Sequence, residues 1–280
     1  MRSMFETDRV PARWLADLKT MDGIIVPTRF NVETFTTSGI APEKLYVVPS
    51  PIDTDRFVPV ERKHHDEIHF VSMFDWSSRK GWEILLTAWF RAFSGRDPVK
   101  LTIKTMTITL PTANPHRDVE QLLSRLGKRR EDCAPVEILN ARWTEDQLVA
   151  FYQDADVFVL PTRGEGWGRP IVEAMACGLP VIATNWSAPT EYLTESNSLP
   201  LKIKGLIKIP DDVDYEMFKG GYWADPDVDH LIFLLRYVLS NFDTVRGLGS
   251  AARQTAERYH PKNVVRQLMD VLNQFGVGSN

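Results

Sequence analysis

The stretch that decides the fold is DVFVLPTRGEGWGRPIVEAMACGLPVIAT, residues Asp156–Thr184. Val157–Leu160 is a continuous apolar run, the pattern of a strand covered on both faces. Pro170 suits the first helical position, where its missing N–H leaves no bond unmade. Gly178 stops that helix and Pro180 prevents its resumption, so a second strand is predicted over Pro180–Ala183. The loop Thr162–Gly168 therefore sits where a parallel strand passes into a helix N-terminus. In open α/β sheets ligands bind at that edge, and free N–H groups with the positive end of the helix dipole favour phosphate. Glu165 and Glu173 stand on either side of this junction, with seven residues between them.

Working outward, the same alternation repeats. Upstream, a strand over Ile68–Phe74 leads through DWSSRKG to a helix over Trp82–Phe93. A strand over Val99–Thr105 leads to a helix over Asp118–Leu126, and one over Val136–Leu139 leads through NARW to a helix over Glu145–Gln153. Strands alternating with helices of this length predict an α/β fold with a doubly wound, Rossmann-like parallel sheet and right-handed crossovers. Downstream, Tyr192–Trp223 is looser, with weak strand signals in LKIKGLIKI. Helices over Val228–Asn241, Asp243–Tyr259 and Lys262–Phe275 follow. At the start, helices are expected over Arg9–Met21 and Asn31–Ser38, and strands over Gly23–Pro27 and Leu45–Pro49. That is too little sheet to stand alone, so it reads as the remnant of a second α/β domain. The Pro- and charge-rich SPIDTDRFVPVERKHHDE, without periodicity, is the linker. The expected organisation is 1–49 for the remnant, 50–66 for the linker, 67–261 for the Rossmann-like domain and 262–280 for a C-terminal helix.

Composition narrows the function. At 280 residues and 43% hydrophobic the chain can bury a large core, and a net charge of -4 argues against a dedicated nucleic-acid binder. Cys133 and Cys177 are too few for a disulfide framework and lack metal-ligand spacing, which suits a reducing compartment. No apolar run approaches the ~18 residues of a membrane span. MRSMFETDRVPARW carries acids and no apolar signal segment, so the cytoplasm is expected. His64, His65, His69, His116, His230 and His260 form no ligand-spaced cluster. Asp154-Ala155-Asp156 has the look of a metal–diphosphate site but precedes its strand, at the edge opposite the crevice. No metal and no cofactor are expected.

Three groups can carry chemistry. Glu165 and Glu173 suit vicinal diols, because a carboxylate accepts two hydrogen bonds side by side. Gly164, Gly166 and Gly168 would let backbone amides approach a diphosphate between them. The plainer alternative makes Glu173 a helix-dipole partner and Glu165 a solvated loop acid. Arg79 and Lys80, in a strand-to-helix turn on the same edge, suit a leaving diphosphate, or else form an exposed turn. Arg142 and Trp143, in the matching turn, could frame a nucleobase. Equally, they belong to a capping turn using Thr144, with Trp143 packed into the core.

With these motifs placed, the chain resembles the C-terminal half of retaining GT-B glycosyltransferases of glycosyltransferase family 4. The resemblance rests on the E-x7-E motif from Glu165 to Glu173, on RKG at Arg79–Gly81, on ADVFVLP before the loop, and on VPTRFNVETFTTSGIAPEKLYVVPSPIDTDRFVP as a domain end plus linker. It implies a nucleotide-sugar donor, a UDP- or GDP-sugar. Glu165 would take the sugar hydroxyls, Glu173 the ribose, and Lys80 with Arg79 the diphosphate. The amides of Gly166, Trp167 and Gly168 would hold phosphate or sugar. The sugar would pass, with retention and without a metal, to a glycan, lipid or small-molecule acceptor. Many members carry a Gly-Arg pair after the strand; here that stretch is Phe74-Asp75-Trp76. The resemblance also implies an acceptor-binding N-terminal domain, of which this chain holds only the end, with apolar surface left for self-association or a partner domain. A non-catalytic module that binds a nucleotide-sugar or a partner protein is the alternative.

Overall fold

The structure, a computed structural model, describes residues 1–61, 66–213 and 215–276. His64 and His65 of the expected linker, and residues 277–280 of the expected C-terminal segment, lie outside the described residues. The first 49 residues form a small unit. It comprises α1 (Leu15–Thr20), β1 (Ile24–Val26), α2 (Arg29–Thr37) and β2 (Leu45–Val47), with β1 and β2 paired in parallel. The helix expected from Arg9 survives only in its second half. Pro11 biases the residue before it away from helical backbone, and only a 3-10 turn, Ala12–Trp14, precedes α1. Thr28 caps α2 by accepting the Asn31 N–H, as a β-region cap residue should.

The larger unit contains β3 (Ile68–Asp75), α3 (Trp82–Ala92), β4 (Val99–Met106), α4 (Pro115–Leu126), β5 (Val136–Asn140) and α5 (Glu145–Gln153). It continues with β6 (Val157–Leu160), α6 (Arg169–Ala176), β7 (Val181–Thr184) and β8 (Leu199–Leu201). Six strands form one sheet in the order β5-β4-β3-β6-β7-β8, and every neighbouring pair is parallel. The winding direction reverses between β3 and β6, which makes the crevice above their C-terminal ends the topological switch point. The loop bearing Arg79 and Lys80 leaves β3, and the glycine-rich loop leaves β6. The fold thus brings together the two motifs that the sequence places 85 residues apart.

The looser segment becomes an antiparallel ribbon of β9 (Ile203–Lys208) and β10 (Tyr222–Pro226), followed by α7 (Val228–Ser240). The single helix expected over Asp243–Tyr259 is instead two, α8 (Phe242–Arg246) and α9 (Leu248–Glu257). Gly247 and Gly249 favour the helix least, and Gly249 lies so close to the Gly178 carbonyl that an added Cβ would overlap it. Finally α10 (Pro261–Gln274) ends with Phe275 edge-on to Tyr46, 5.3 Å between ring centroids, and so returns to the first unit.

Two apolar cores result. Around the six-stranded sheet lie Phe70, Trp89, Phe93, Leu101, Val159, Ile171 and Leu235 among others. The second core joins Phe5, Val10, Leu18, Ile24, Val26 and Phe35 of the first unit to Ile209, Phe218 and Trp223 from the segment around the β9–β10 ribbon. The apolar surface expected to be left bare on the first 49 residues is therefore largely turned inward against their own chain.

Candidate active site

The two loops at the switch point are built against each other. The Arg163 N–H donates to the Arg79 carbonyl at 2.7 Å, and the Thr162 hydroxyl donates to the same carbonyl at 3.2 Å. Gly81 has φ +67°, and a Cβ there would overlap the Pro161 carbonyl, so the RKG turn needs glycine for backbone shape and for space. Gly164 is held as tightly from the other side, since a Cβ there would overlap the Glu6 carbonyl. Asn31 completes the contact. Its side-chain amide donates to the Gly166 carbonyl at 3.2 Å, while its oxygen accepts the Phe5 N–H at 2.8 Å. The small N-terminal unit thus lies directly on the glycine-rich loop and supplies part of the facing wall. The sequence alone assigns Glu6 and Asn31 no such part.

Glu165 is a buried acid, not a solvated one, at 5% exposure. Lys80 Nζ donates to its Oε1 at 2.5 Å, and Arg79 Nη1 lies 3.6 Å from the same oxygen while donating to the Gly164 carbonyl at 2.6 Å. Burial pushes the Glu165 carboxyl up, but Lys80 and Arg79 outweigh it and hold it below the usual carboxylate range. Burial, with Arg79 alongside, pulls the Lys80 ammonium down, and Glu165 opposes that fall. The Glu165 N–H donates to the Ser187 hydroxyl at 2.9 Å. Ser187 itself sits at φ +64°, ψ −149°, a conformation costly for a residue with a Cβ.

Glu173 lies on the second turn of α6 and is equally buried, at 4% exposure. It accepts the Tyr152 hydroxyl at 3.0 Å, with Arg169 Nη2 at 3.3 Å. Burial raises its carboxyl above the usual range despite Arg169, and burial with Glu173 pushes Tyr152 well up. The environment therefore moves the two glutamates in opposite directions.

Beside this cluster, on the α5–α6 face of the crevice, lies a cavity of about 650 Å³. Its walls bring together Arg79, Lys80, Arg142 and Trp143, with Pro170 at the start of α6. The capping reading of the Arg142–Trp143 turn holds. Thr144 forms a capping box with Gln147 at the head of α5, and Trp143 packs on Phe151 while still facing the cavity. Lys104 on β4 lines the same cavity, and the sequence reading does not single it out; a lysine just after Leu101–Ile103 inside a buried parallel strand is the available signal. Glu165, Glu173 and Gly166–Gly168 lie outside this wall, and Glu165 connects to it through Lys80. The Trp167 ring is enclosed by Tyr192 and Tyr259, so only its backbone can serve a ligand. Asp154 and Asp156 fall at the opposite edge, where the Asp156 carboxylate accepts the His69 N–H at 2.9 Å. Among the described residues no three His, Cys, Asp or Glu side chains converge as a metal set, and no helix is long and apolar enough to cross a membrane.

A parallel Rossmann-like sheet whose switch-point crevice is faced by a smaller α/β unit is the arrangement of the GT-B glycosyltransferase fold. Residues 65–214 match the family described as glycosyl transferases group 1, and the chain belongs to that family. It is 30% identical over 161 residues to an MMP alpha-(1->4)-mannosyltransferase of Mycolicibacterium hassiacum, covering 58% of this chain and 36% of that protein. It is 23% identical over 261 residues to a putative glycosyltransferase of a Sulfolobus islandicus filamentous virus, covering 90% of this chain and 67% of that one. Anabaena Alr3699/HepE, solved in complex with UDP and glucose, superposes with a TM-score of 0.71 at 16% identity, over 94% of this chain and 66% of that one. The chain thus spans about a third of the length of the mannosyltransferase and about two thirds of the other two.

Proposed function

We propose that this chain is the donor-binding part of a retaining glycosyltransferase, which moves a sugar from a UDP- or GDP-sugar to a glycan, lipid or small-molecule acceptor. The observation that carries this reading is the buried Lys80–Glu165–Arg79 cluster at the switch point, beside a cavity walled by basic side chains. The mannosyltransferase relative and the UDP-bound Anabaena structure support it. Residues 1–49 then belong to the acceptor side, 50–66 link the units, 67–261 hold the donor and 262–280 close the chain.

Each group has a role in this proposal. Lys80 and Arg79, with the amides of Gly166, Trp167 and Gly168 ahead of α6, take the donor diphosphate. When the glycosyl–oxygen bond breaks, charge grows on the leaving diphosphate, and prearranged side-chain cations stabilise it without reorganisation. Glu165, held ionised, accepts sugar hydroxyls once the incoming diphosphate competes for Lys80. Glu173 accepts ribose hydroxyls, and Arg142 with Trp143 frames the base. For retention, the acceptor oxygen bonds to the anomeric carbon on the face the diphosphate leaves, and its proton passes to the departing phosphate oxygen. Cys133 and Cys177, both buried and neither in a disulfide, suit the cytoplasm.

Calorimetric titration of UDP-, GDP- and ADP-sugars into wild type, Glu173→Ala and Lys80→Ala tests the assignment. One donor class should bind wild type and lose at least tenfold with each variant. No binding, or variants equal to wild type, removes the site. Binding without turnover in the presence of acceptors marks a non-catalytic donor-binding module.

A further inference from the structure

Among the described residues, one buried cation in the crevice makes no ion pair. Lys80 is matched by Glu165, and Arg79 is held by the Gly164 carbonyl with Glu6 at 3.9 Å. Arg142 is exposed. Lys104, by contrast, is 3% exposed, and its Nζ donates only to backbone, to the Thr105 carbonyl at 2.9 Å and the Ala141 carbonyl at 2.5 Å. Its ammonium also stands 5.1 Å from the centre of the Trp143 ring. Burial pulls this ammonium below the ordinary lysine range with no acid acting against the fall. The acid on this wall, Asp75, accepts the backbone N–H groups of Ile108 and Thr109 with its Oδ1, while its Oδ2 is buried without a hydrogen-bond partner, and it makes no ion pair with Lys104. A desolvated charge without a counter-ion is costly, and an anionic ligand in the cavity would supply the missing charge. Lys104 pairs in register with Met73 on β3 and so borders the cavity into which Lys80 also faces.

We propose that Lys104 is a third phosphate-binding cation of this crevice, placed by β4 beside Lys80 and Arg79, and that it takes the diphosphate of the donor. That the anion is a nucleoside diphosphate rests on the function proposed above; that the site takes a phosphate anion does not. The β3 exit, Phe74-Asp75-Trp76, offers no cation on this side, and the neighbouring strand provides one. Trp143 beneath the ammonium sets its direction, so that one stem from β4 serves both the phosphate and, through Trp143, the base.

The test uses three ligands and two variants. Inorganic pyrophosphate, UDP and uridine are titrated by calorimetry into wild type, Lys104→Met and Lys104→Arg at one ionic strength. Lys104→Met should weaken pyrophosphate and UDP by about tenfold or more, the worth of one charged hydrogen bond, and leave uridine within about twofold. Lys104→Arg should keep most of the affinity. Pyrophosphate and UDP binding unchanged in Lys104→Met overturns the proposal, as does a wild type that takes no pyrophosphate or an equal loss for uridine. UDP binding that needs Lys80 but not Lys104 sinks this inference alone. Pyrophosphate binding that needs Lys104, with no nucleotide bound, sinks the donor reading and keeps the anion site. If Lys104→Met fails to fold, lysine side-chain NMR on wild type decides. The Lys104 titration midpoint should rise on adding pyrophosphate, and no movement overturns the proposal.

Discussion

The Lys80–Glu165 pair makes a quantitative prediction. Both partners are buried, with side-chain exposures of 11% and 7%, and the contact is 2.5 Å. Removing one partner of such a pair costs about 3–5 kcal/mol, because the other charge is left uncompensated in a poorly solvated place. Here Arg79 remains 3.6 Å from the same oxygen, so Lys80→Met should fall at or just below the lower end, about 2–3 kcal/mol. Replacing both, as Lys80→Met with Glu165→Gln, removes the stranded charge. The double variant should then be less damaged than the sum of the singles by about 2 kcal/mol. Urea unfolding of all four proteins at pH 7, followed by tryptophan fluorescence and circular dichroism, gives the cycle if the slopes agree. Single effects that add to within about 0.5 kcal/mol would refute the coupling. In that case the short contact would carry no weight in the folded chain. The double variant should also bind no nucleoside diphosphate while staying folded, which separates the pair's part in stability from its part in function.

Three further outcomes follow from the geometry. Gly164→Ala should lose about 1–3 kcal/mol, since its Cβ meets the Glu6 carbonyl and the Trp186 ring. Thermal melting with limited proteolysis of residues 1–10 reads this, and an unchanged melt would mean the N-terminal unit does not press on the loop. Tyr152→Phe removes the hydroxyl bonded to Glu173 at 3.0 Å and should cost about 1.5–3 kcal/mol in urea; an unmoved midpoint speaks against that bond. The two glutamates should oppose each other in pH. Glu165 is held below 4.5, so its stabilisation is present above that pH and lost as pH falls through its folded value; Glu165→Gln should flatten the acid limb. Glu173 is raised above 4.5, so its favourable contribution is present below that pH and lost as pH rises through its folded value. Glu173→Gln should gain on wild type as pH rises, and parallel pH profiles for the two variants would contradict both assignments.

Much of the site was legible because its signals are local. Apolar runs, Pro170 and Gly178 place β6, α6 and β7 to within a residue or two, and the RKG turn stands out at the head of α3. The misplaced elements failed for equally local reasons. Pro11 cut short a helix that apolar spacing alone supports, and Gly247 with Gly249 split another. The protonation preferences of Glu165 and Glu173 were not legible. Both are glutamates beside a glycine loop, and only their burial and partners, Lys80 and Arg79 against Tyr152 and Arg169, drive them apart.

By itself, the sequence determined the alternation of strands and helices, the edge of the sheet on which the candidate site lies, and the motifs Glu165, Glu173 and Arg79–Gly81. Periodicity and turn chemistry act within about ten residues, so they survive in a one-dimensional reading. Only the tertiary structure decided the strand order that sets β3 beside β6 and so closes Lys80 on Glu165. It also laid Glu6 and Asn31 over the glycine loop and left Lys104 buried in the cavity wall without an ion pair. Those facts depend on which distant surfaces share a core and which charges lose their water, and no stretch of the chain carries that information alone.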